Sequence, residues 1–407
     1  MINLEIPKKF KPLASQANQV ATEVFRPISR KYDEAEHSYP KELDMLASLI
    51  DGMNEGSDIG GAGAAGVRRE SNGDGADAGN RNGSNLSTVL GIIELCWGDV
   101  GLLLSMPRQG LGNSAIASVA SDEQLERYGG KWAAMAITEP EAGSDSAAIR
   151  TTADLDGDEY VLNGEKIFVT SGDRADLIVV WATLDRKVGR AAIRSFIVER
   201  DNPGLKLDRL EHKLGIRASD TANFTLQDCR VPKEALLGDP EVKSDPKQGF
   251  GGAMQTFDNT RPLVAAMAVG VARASLEETR KQLAEAGVEI DYDTPALSQP
   301  AAAARYLEME SDYEASLLLT LQAAWMADNG KPNSLQASMA KAKAGRTCVD
   351  VALGCVELCG SVGYGENELL EKWARDAKIL DIFEGTQQIQ LLIVARQLLG
   401  KSSSELR

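Results

Sequence analysis

The chain has 407 residues, of which 43% are hydrophobic and 26% charged, with a formal net charge of −16. That length exceeds one ordinary core, so two or three globular domains are expected, with a composition typical of globular proteins. The strong negative balance excludes a nucleic-acid-binding surface and predicts a self-repelling particle.

The first residues, Met1-Ile2-Asn3-Leu4-Glu5, show no basic stretch leading into an apolar core. No signal peptide is therefore expected. No apolar run reaches the ~20 residues that span a bilayer, so the expectation is a cytoplasmic protein with no membrane span. Helices are predicted to about residue 50, where Leu13, Val20, Val24 and Phe25, then Leu43, Leu46, Ala47 and Ile50, recur at helical spacing. From Gly56 to about Asn85 the chain is crowded with Gly, Asn, Asp and Ala. This composition reads as a long loop, either a lid or a disordered connection. Its glycines do not join a strand to a helix, so no dinucleotide fingerprint is read there. A helix follows over Thr88–Leu104, with a shorter one over Glu123–Tyr128.

At Trp132 the period changes. Thr151–Leu155, Tyr160–Leu162, Lys166–Thr170, Leu177–Ala182, Ser195–Val198 and Phe224–Leu226 are β-prone. Asp156-Gly157-Asp158 and Asn163-Gly164 between such runs are hairpin signals. From Gly249 the pattern is helical again: Leu263–Leu283 with many small residues, then Ala301–Asp328, Ser334–Cys359, Glu368–Ile382 and Gln387–Leu399. The fold class is thus α+β, mainly α, with a helical domain over 1–130, an antiparallel β domain over 131–245 and a helical bundle over 246–407.

Five cysteines give no metal-type pair, and Cys348, Cys355 and Cys359 share a helical face with Val351 and Ala352, which predicts burial. The two histidines, His37 and His212, lie far apart in sequence, so neither a Ser-His-Asp centre nor a metal site is expected. Three stretches offer chemistry. Met135–Asp145 carries Pro140 and Gly143 at a turn, with Thr138, Ser144 and backbone N–H groups as uncharged donors. They suit a heterocycle edge or phosphate, or form an ordinary loop. Phe168-Val169-Thr170 sets an aromatic beside a hydroxyl, against which Phe168 as strand core is the alternative. Glu384, between Phe383 and Gly385, sits where one helix stops and Thr386 opens the next. It reads either as a helix-end acid or as a carboxylate projecting into a cavity.

Taken together these stretches resemble the acyl-CoA dehydrogenase family over nearly the whole length. The signatures are Ala136-Ile137-Thr138-Glu139-Pro140 with Ala142-Gly143-Ser144-Asp145, and Asn163-Gly164-Glu165-Lys166 with Thr170. Phe257-Asp258-Asn259-Thr260-Arg261-Pro262, Arg375-Asp376-Ala377-Lys378 and Phe383-Glu384-Gly385-Thr386 complete them. The resemblance implies a C-terminal four-helix bundle and non-covalent FAD between subunits. It implies FAD contacts from Ile137, Thr138, Phe168, Thr170, Glu357, Gly360 and Thr386. Ser144, Asp258, Arg261, Phe383 and Gly385 would line the acyl-CoA site, with Glu384 as the catalytic base. No carboxylate stands at the family's alternative base position near Arg261. The implied reaction is conversion of an acyl-CoA to a trans-2-enoyl-CoA, aided by the Glu384 N–H and a flavin hydroxyl. Electrons would pass to an electron-transfer flavoprotein, and the chain would form a homo-oligomer.

Three places depart from the family pattern. Glu285–Ile290 lacks the usual Arg-x-x-Phe-Gly, whose arginine reaches a neighbouring subunit's FAD. Glu357 stands where Gln is usual, and Gly56–Asn85 differs from the usual glycine-rich entry. These departures keep a non-catalytic or FAD-sharing subunit of a hetero-oligomer as an alternative, beside an acyl-CoA oxidase.

Overall fold

The computed structural model describes residues 6–55, 83–108, 110–242, 251–402 and 405, with the side chains of 49–55 and 251–259 outside that set. The glycine-rich stretch read as a loop lies outside the described residues as far as 82. Its last residues, Ser84 and Asn85, are already helical.

Helices α1 (Lys11–Val20), α2 (Arg26–Glu34), α3 (Glu42–Glu55) and α4 (Ser84–Gly98) open the chain, with a π-turn over Ala21–Phe25 joining the first two. Asp328, at the end of a later helix, accepts the backbone N–H groups of Gly83 (2.8 Å), Asn85 (2.9 Å) and Leu86 (3.1 Å). A carboxylate here satisfies donors that the first turn of α4 cannot use internally and opposes the positive helix end. The continuous helix expected to Leu104 is broken at Asp99, which is extended (φ −167°) and caps α5 (Val100–Leu104) by accepting Leu102 N–H. α6 (Leu111–Val119) and α7 (Asp122–Tyr128) follow. The second opens with a capping box in which Ser121 and Gln124 bond each other's backbone.

Eight strands then form one sheet: β1 (Ala133–Ala136), β2 (Thr152–Asp156), β3 (Glu159–Thr170), β4 (Leu177–Thr183), β5 (Ile193–Glu199), β6 (Leu205–Leu210), β7 (Thr221–Pro232) and β8 (Leu236–Leu237). Their order is β6-β7-β3-β2-β4-β5-β8, with β1 beside β4. The pairings are antiparallel except those of β1 and β2 with β4, which are parallel. Asp156-Gly157-Asp158 makes the expected hairpin, pairing Asp156 with Glu159. Asn163-Gly164 does not turn the chain. It lies inside β3 at a register shift against β7, where a Cβ on Gly164 would stand 2.4 Å from Thr151 Oγ1. The glycine serves close backbone approach at a bulge rather than a reversal.

The C-terminal layer contains α8 (Gly251–Glu285), α9 (Ala301–Asp328), α10 (Ser334–Tyr364), α11 (Leu370–Leu380) and α12 (Gln387–Leu399). Ala265, Ala268 and Ala272 of α8 are buried with Val89, Ile93 and Cys96 of α4, Met309 of α9, Cys348, Ala352 and Cys355 of α10, and Trp373 of α11. The cysteines are free and Cys359 is half-buried, in keeping with a packing face. α10 extends past the expected end at Cys359, kinking at Gly360 (φ 54°). By length and composition alone α10 could cross a membrane. Here it is a core helix, interrupted by Lys341, Lys343, Arg346, Asp350 and Glu357.

A buried charge network locks these layers together. Lys372 on α11 donates to Asp99 (2.7 Å) and Asp376 (2.6 Å), and Asp376 accepts Ile216 N–H from the β6–β7 connection (2.5 Å). Ser29 of α2 also meets Asp99. One residue before Asp376, Arg375 pairs with Asp33 of α2 (2.6 Å) and donates to Leu214 O (3.0 Å). The Arg375-Asp376-Ala377-Lys378 signature is thereby a structural clamp. Burial alone would lower the Lys372 pKa, but Asp376 and Asp99 more than offset it and hold the ammonium charged.

Candidate active site

α11 stops at Leu380, and the connection to α12 runs through Glu384 and Gly385, both with left-handed backbone (φ 56° and 91°). A left-handed glutamate is strained by roughly 1–3 kcal/mol and persists where its surroundings over-determine it. Four contacts do so. Thr386 caps α12 by accepting Ile389 N–H (3.3 Å). Gln390, fully buried, donates to Glu384 O (3.0 Å) and Gly385 O (3.3 Å). Lys341 of α10 donates to Gly385 O (2.7 Å). A Cβ on Gly385 would meet Gln390 Nε2 at 2.4 Å, so the neighbour that holds the turn also excludes a side chain there.

This backbone aims the Glu384 carboxylate inward, where Thr260 of α8 donates its hydroxyl to Oε2 at 2.8 Å. Burial pushes the carboxyl pKa up, opposed by the Thr260 hydrogen bond and by the Arg261 and Lys341 charges. Burial likewise lowers the Lys341 pKa to about 8, with Asp381 and Glu384 acting the other way. Arg261 is buried and borders a cavity of about 290 Å³ shared with Ser334, Arg396 and Lys401. Three cations around one cavity favour an anionic occupant.

A second group forms on the sheet. Thr138 O accepts Ile167 N–H (2.9 Å), which lays the segment after β1 against β3, with Ile137, Thr138 and Thr170 half-buried. Lys166, completely buried, donates to Ile137 O (3.1 Å) and Glu139 Oε1 (2.7 Å). Glu139 also accepts Thr151 Oγ1 (2.6 Å) and the N–H groups of Arg150 and Thr151. Burial would raise the Glu139 pKa, yet Lys166 and these donors hold it below the carboxylate range. This pair fixes the loop whose motif contains Glu139, which explains the residue without a role in chemistry. Phe168 is not strand core: it is 59% exposed with φ 58°, at the second register shift of β3. An exposed ring on a strained backbone suits a flat heterocycle.

The structure therefore gathers Glu384, Gly385, Thr386 and Arg261 in one place, with Phe383 half-buried against the helical core. Ile137, Thr138, Phe168 and Thr170 gather in another. Ser144 is exposed on the loop after β1. The side chain of Asp258 lies outside the described residues. Glu357 and Gly360 are exposed and belong to neither group: Glu357 is sixteen positions beyond Lys341 on α10, about 24 Å along the axis. Sequence reasoning missed Lys341, Gln390 and the hydroxyl role of Thr260. The available signal for Lys341 was a lysine on the apolar stripe of Ala337, Ala344 and Cys348. It also missed that His37 and His212 meet, with ring centroids 4.9 Å apart. Sequence separation was no guide to their distance.

Comparison with known proteins agrees with this layout. Residues 134–229 match the acyl-CoA dehydrogenase middle domain and residues 247–399 the acyl-CoA dehydrogenase C-terminal domain. The chain is 33% identical to the mitochondrial short-chain specific acyl-CoA dehydrogenase of Bos taurus, covering 98% of this chain and 92% of the relative. Butyryl-CoA dehydrogenase from Megasphaera elsdenii superimposes with a TM-score of 0.82 at 30% identity, covering 98% of this chain and 100% of that one. A chain from the structure of the electron transferring flavoprotein of Acidaminococcus fermentans gives 0.80 at 32% identity, with 98% and 100% covered. With its two domain models matched in order and relatives aligned end to end, the chain belongs to the acyl-CoA dehydrogenase family.

Proposed function

We propose that the protein is an FAD-dependent acyl-CoA dehydrogenase that converts an acyl-CoA to a trans-2-enoyl-CoA with Glu384 as general base. The observation that carries this reading is the half-buried Glu384 carboxylate, strained inward and bound by Thr260. An α-proton of a thioester is weakly acidic, so its removal needs a base of raised basicity in a dry site. Partial burial raises the basicity, and Thr260 orients the accepting oxygen. The Glu384 backbone N–H polarises the thioester carbonyl, and the proton ends on the Glu384 carboxylate. Arg261, with Arg396 and Lys401 across the cavity, receives phosphates of the carrier.

FAD fits the sheet-side group: the exposed Phe168 ring offers a stacking face, and Ile137, Thr138 and Thr170 an edge of backbone and hydroxyl partners. When bound, FAD supplies the acceptor for the β-hydrogen and its electron pair. The relative from the electron transferring flavoprotein structure supports a flavoprotein as the onward electron acceptor. The relatives named for short-chain and butyryl substrates put butyryl-CoA first among thioesters of graded length to assay. Exposed Leu391, Leu392, Leu398 and Leu399 on α12 support assembly into an oligomer.

A second reading, a subunit that shares FAD with a different chain, is favoured by the exposed, arginine-free Glu285–Gly287 segment and by Glu357. The absorbance spectrum of the purified chain tests both. Yellow protein bleached anaerobically by acyl-CoA supports the enzyme, and colourless protein that gains flavin only with a partner chain supports the second reading.

A further inference from the structure

The two histidines of this chain come from opposite sides of a domain joint. His37 follows α2 of the N-terminal helices, and His212 follows β6 of the sheet. Their rings lie 4.9 Å apart, and His212 Nδ1 is 2.8 Å from Glu36 Oε2. One ligand atom from each of Glu36, His37 and His212 lies within 4.8 Å of the others. His37 adopts left-handed backbone (φ 69°), and its Nδ1 and Nε2 are both buried with no hydrogen-bonding partner among the described residues. A half-buried imidazole whose two shielded nitrogens lack partners, held on left-handed backbone beside a second imidazole and a carboxylate, is a costly arrangement without a ligand.

We propose that Glu36, His37 and His212 bind a divalent transition-metal ion of borderline softness, zinc being the natural occupant, as a clip between the helical domain and the sheet. Two imidazoles and a carboxylate are a known three-ligand donor set for zinc, leaving a fourth position for solvent. Bonds of about 2.0–2.2 Å in tetrahedral geometry place ligand atoms roughly 3.4 Å apart. The ion would replace the proton between His212 and Glu36, widening that contact, while the His37 ring closes by rotation. Glu36 Oε1 already accepts Lys213 N–H (2.8 Å), which fixes the carboxylate from behind. Two cations oppose the site: Arg217 stands 3.8 Å from Glu36 Oε2, and Lys213 is turned to Ser219 O at 2.7 Å. Every group named lies apart from the residues assigned to the acyl-CoA reaction.

The test titrates Zn2+ alone into the chelator-treated full-length chain by calorimetry, with His212→Ala and His37→Ala beside it. The His212 side chain is 82% exposed, so its removal leaves the fold intact, as the metal-free melting temperature will verify. One saturable site in the parent, weakened more than about tenfold in both variants, is the expected result. X-ray absorption at the zinc edge should show imidazole nitrogen and oxygen ligation. Absence of saturable binding, unchanged binding in His212→Ala, or sulfur ligation through the cysteines would overturn the proposal.

Discussion

Thr260 and Glu384 stand 124 positions apart in the chain and meet at 2.8 Å, hydroxyl to carboxylate, across the interface of α8 with the α11–α12 turn. The hydrogen bond favours the charged carboxylate while burial disfavours it, so Thr260 tunes the basicity of Glu384. A hydrogen bond to a charged group contributes about 1.5–3 kcal/mol. Thr260→Val should therefore lower kcat with acyl-CoA on the order of tenfold or more at pH 7. The rising limb of the rate against pH should move to higher pH, because the base must lose its proton to act. An unmoved limb in stopped-flow flavin reduction would separate Thr260 from the base.

The raised Glu384 pKa also makes a stability statement. Between the ordinary glutamate value of 4.5 and the higher folded value, the native state binds more protons than the unfolded chain. Its contribution to stability therefore falls as pH rises through that window. Glu384→Gln keeps an acceptor for Thr260 and removes the buried charge. Its melting temperature should exceed the parent's at pH 8, with the difference shrinking as pH falls toward 4.5.

Lys341 should behave in the opposite sense. Replacing it with Met keeps volume but leaves Gly385 O with only the 3.3 Å bond from Gln390 and takes a positive charge from beside Glu384. A hydrogen bond from a charged donor contributes about 1.5–3 kcal/mol. Denaturant unfolding should show a loss of that size, and the Glu384-dependent limb should shift to higher pH.

Lys372→Met probes the clamp rather than the chemistry. It leaves Asp99 and Asp376 buried without their shared cation. Breaking such a group by removing one partner costs roughly 3–5 kcal/mol. Because the folded Lys372 pKa lies above the ordinary 10.5, its stabilisation is fully present below that value and lost only as pH climbs through the higher one. The variant should therefore melt well below the parent across pH 6–9, which calorimetry will measure.

Much of the architecture was legible because it is local. The periods over Ala301–Asp328 and Gln387–Leu399 predict α9 and α12 to the residue, and Asp156-Gly157-Asp158 predicts its hairpin. The misreadings arise where tertiary contacts override local pattern. Asp99 breaks a run of helix formers because its carboxylate meets Lys372 and Ser29. Asn163-Gly164 looks like a turn, but Thr151 needs the missing side chain's space. Of the two readings the sequence leaves open for Phe168, the bulge beside it removes strand core by turning the ring outward. Within the candidate site, Glu384 stood out at a helix break beside Gly-Thr. Its supports, Thr260, Lys341 and Gln390, come together only on folding.

The central claim, Glu384 as the proton acceptor, is tested most directly by anaerobic titration of the purified parent and Glu384→Gln with butyryl-CoA, followed by flavin absorbance. The account predicts a yellow parent that bleaches and a yellow variant that binds the thioester but does not bleach. Bleaching of the variant at the parental rate would contradict it.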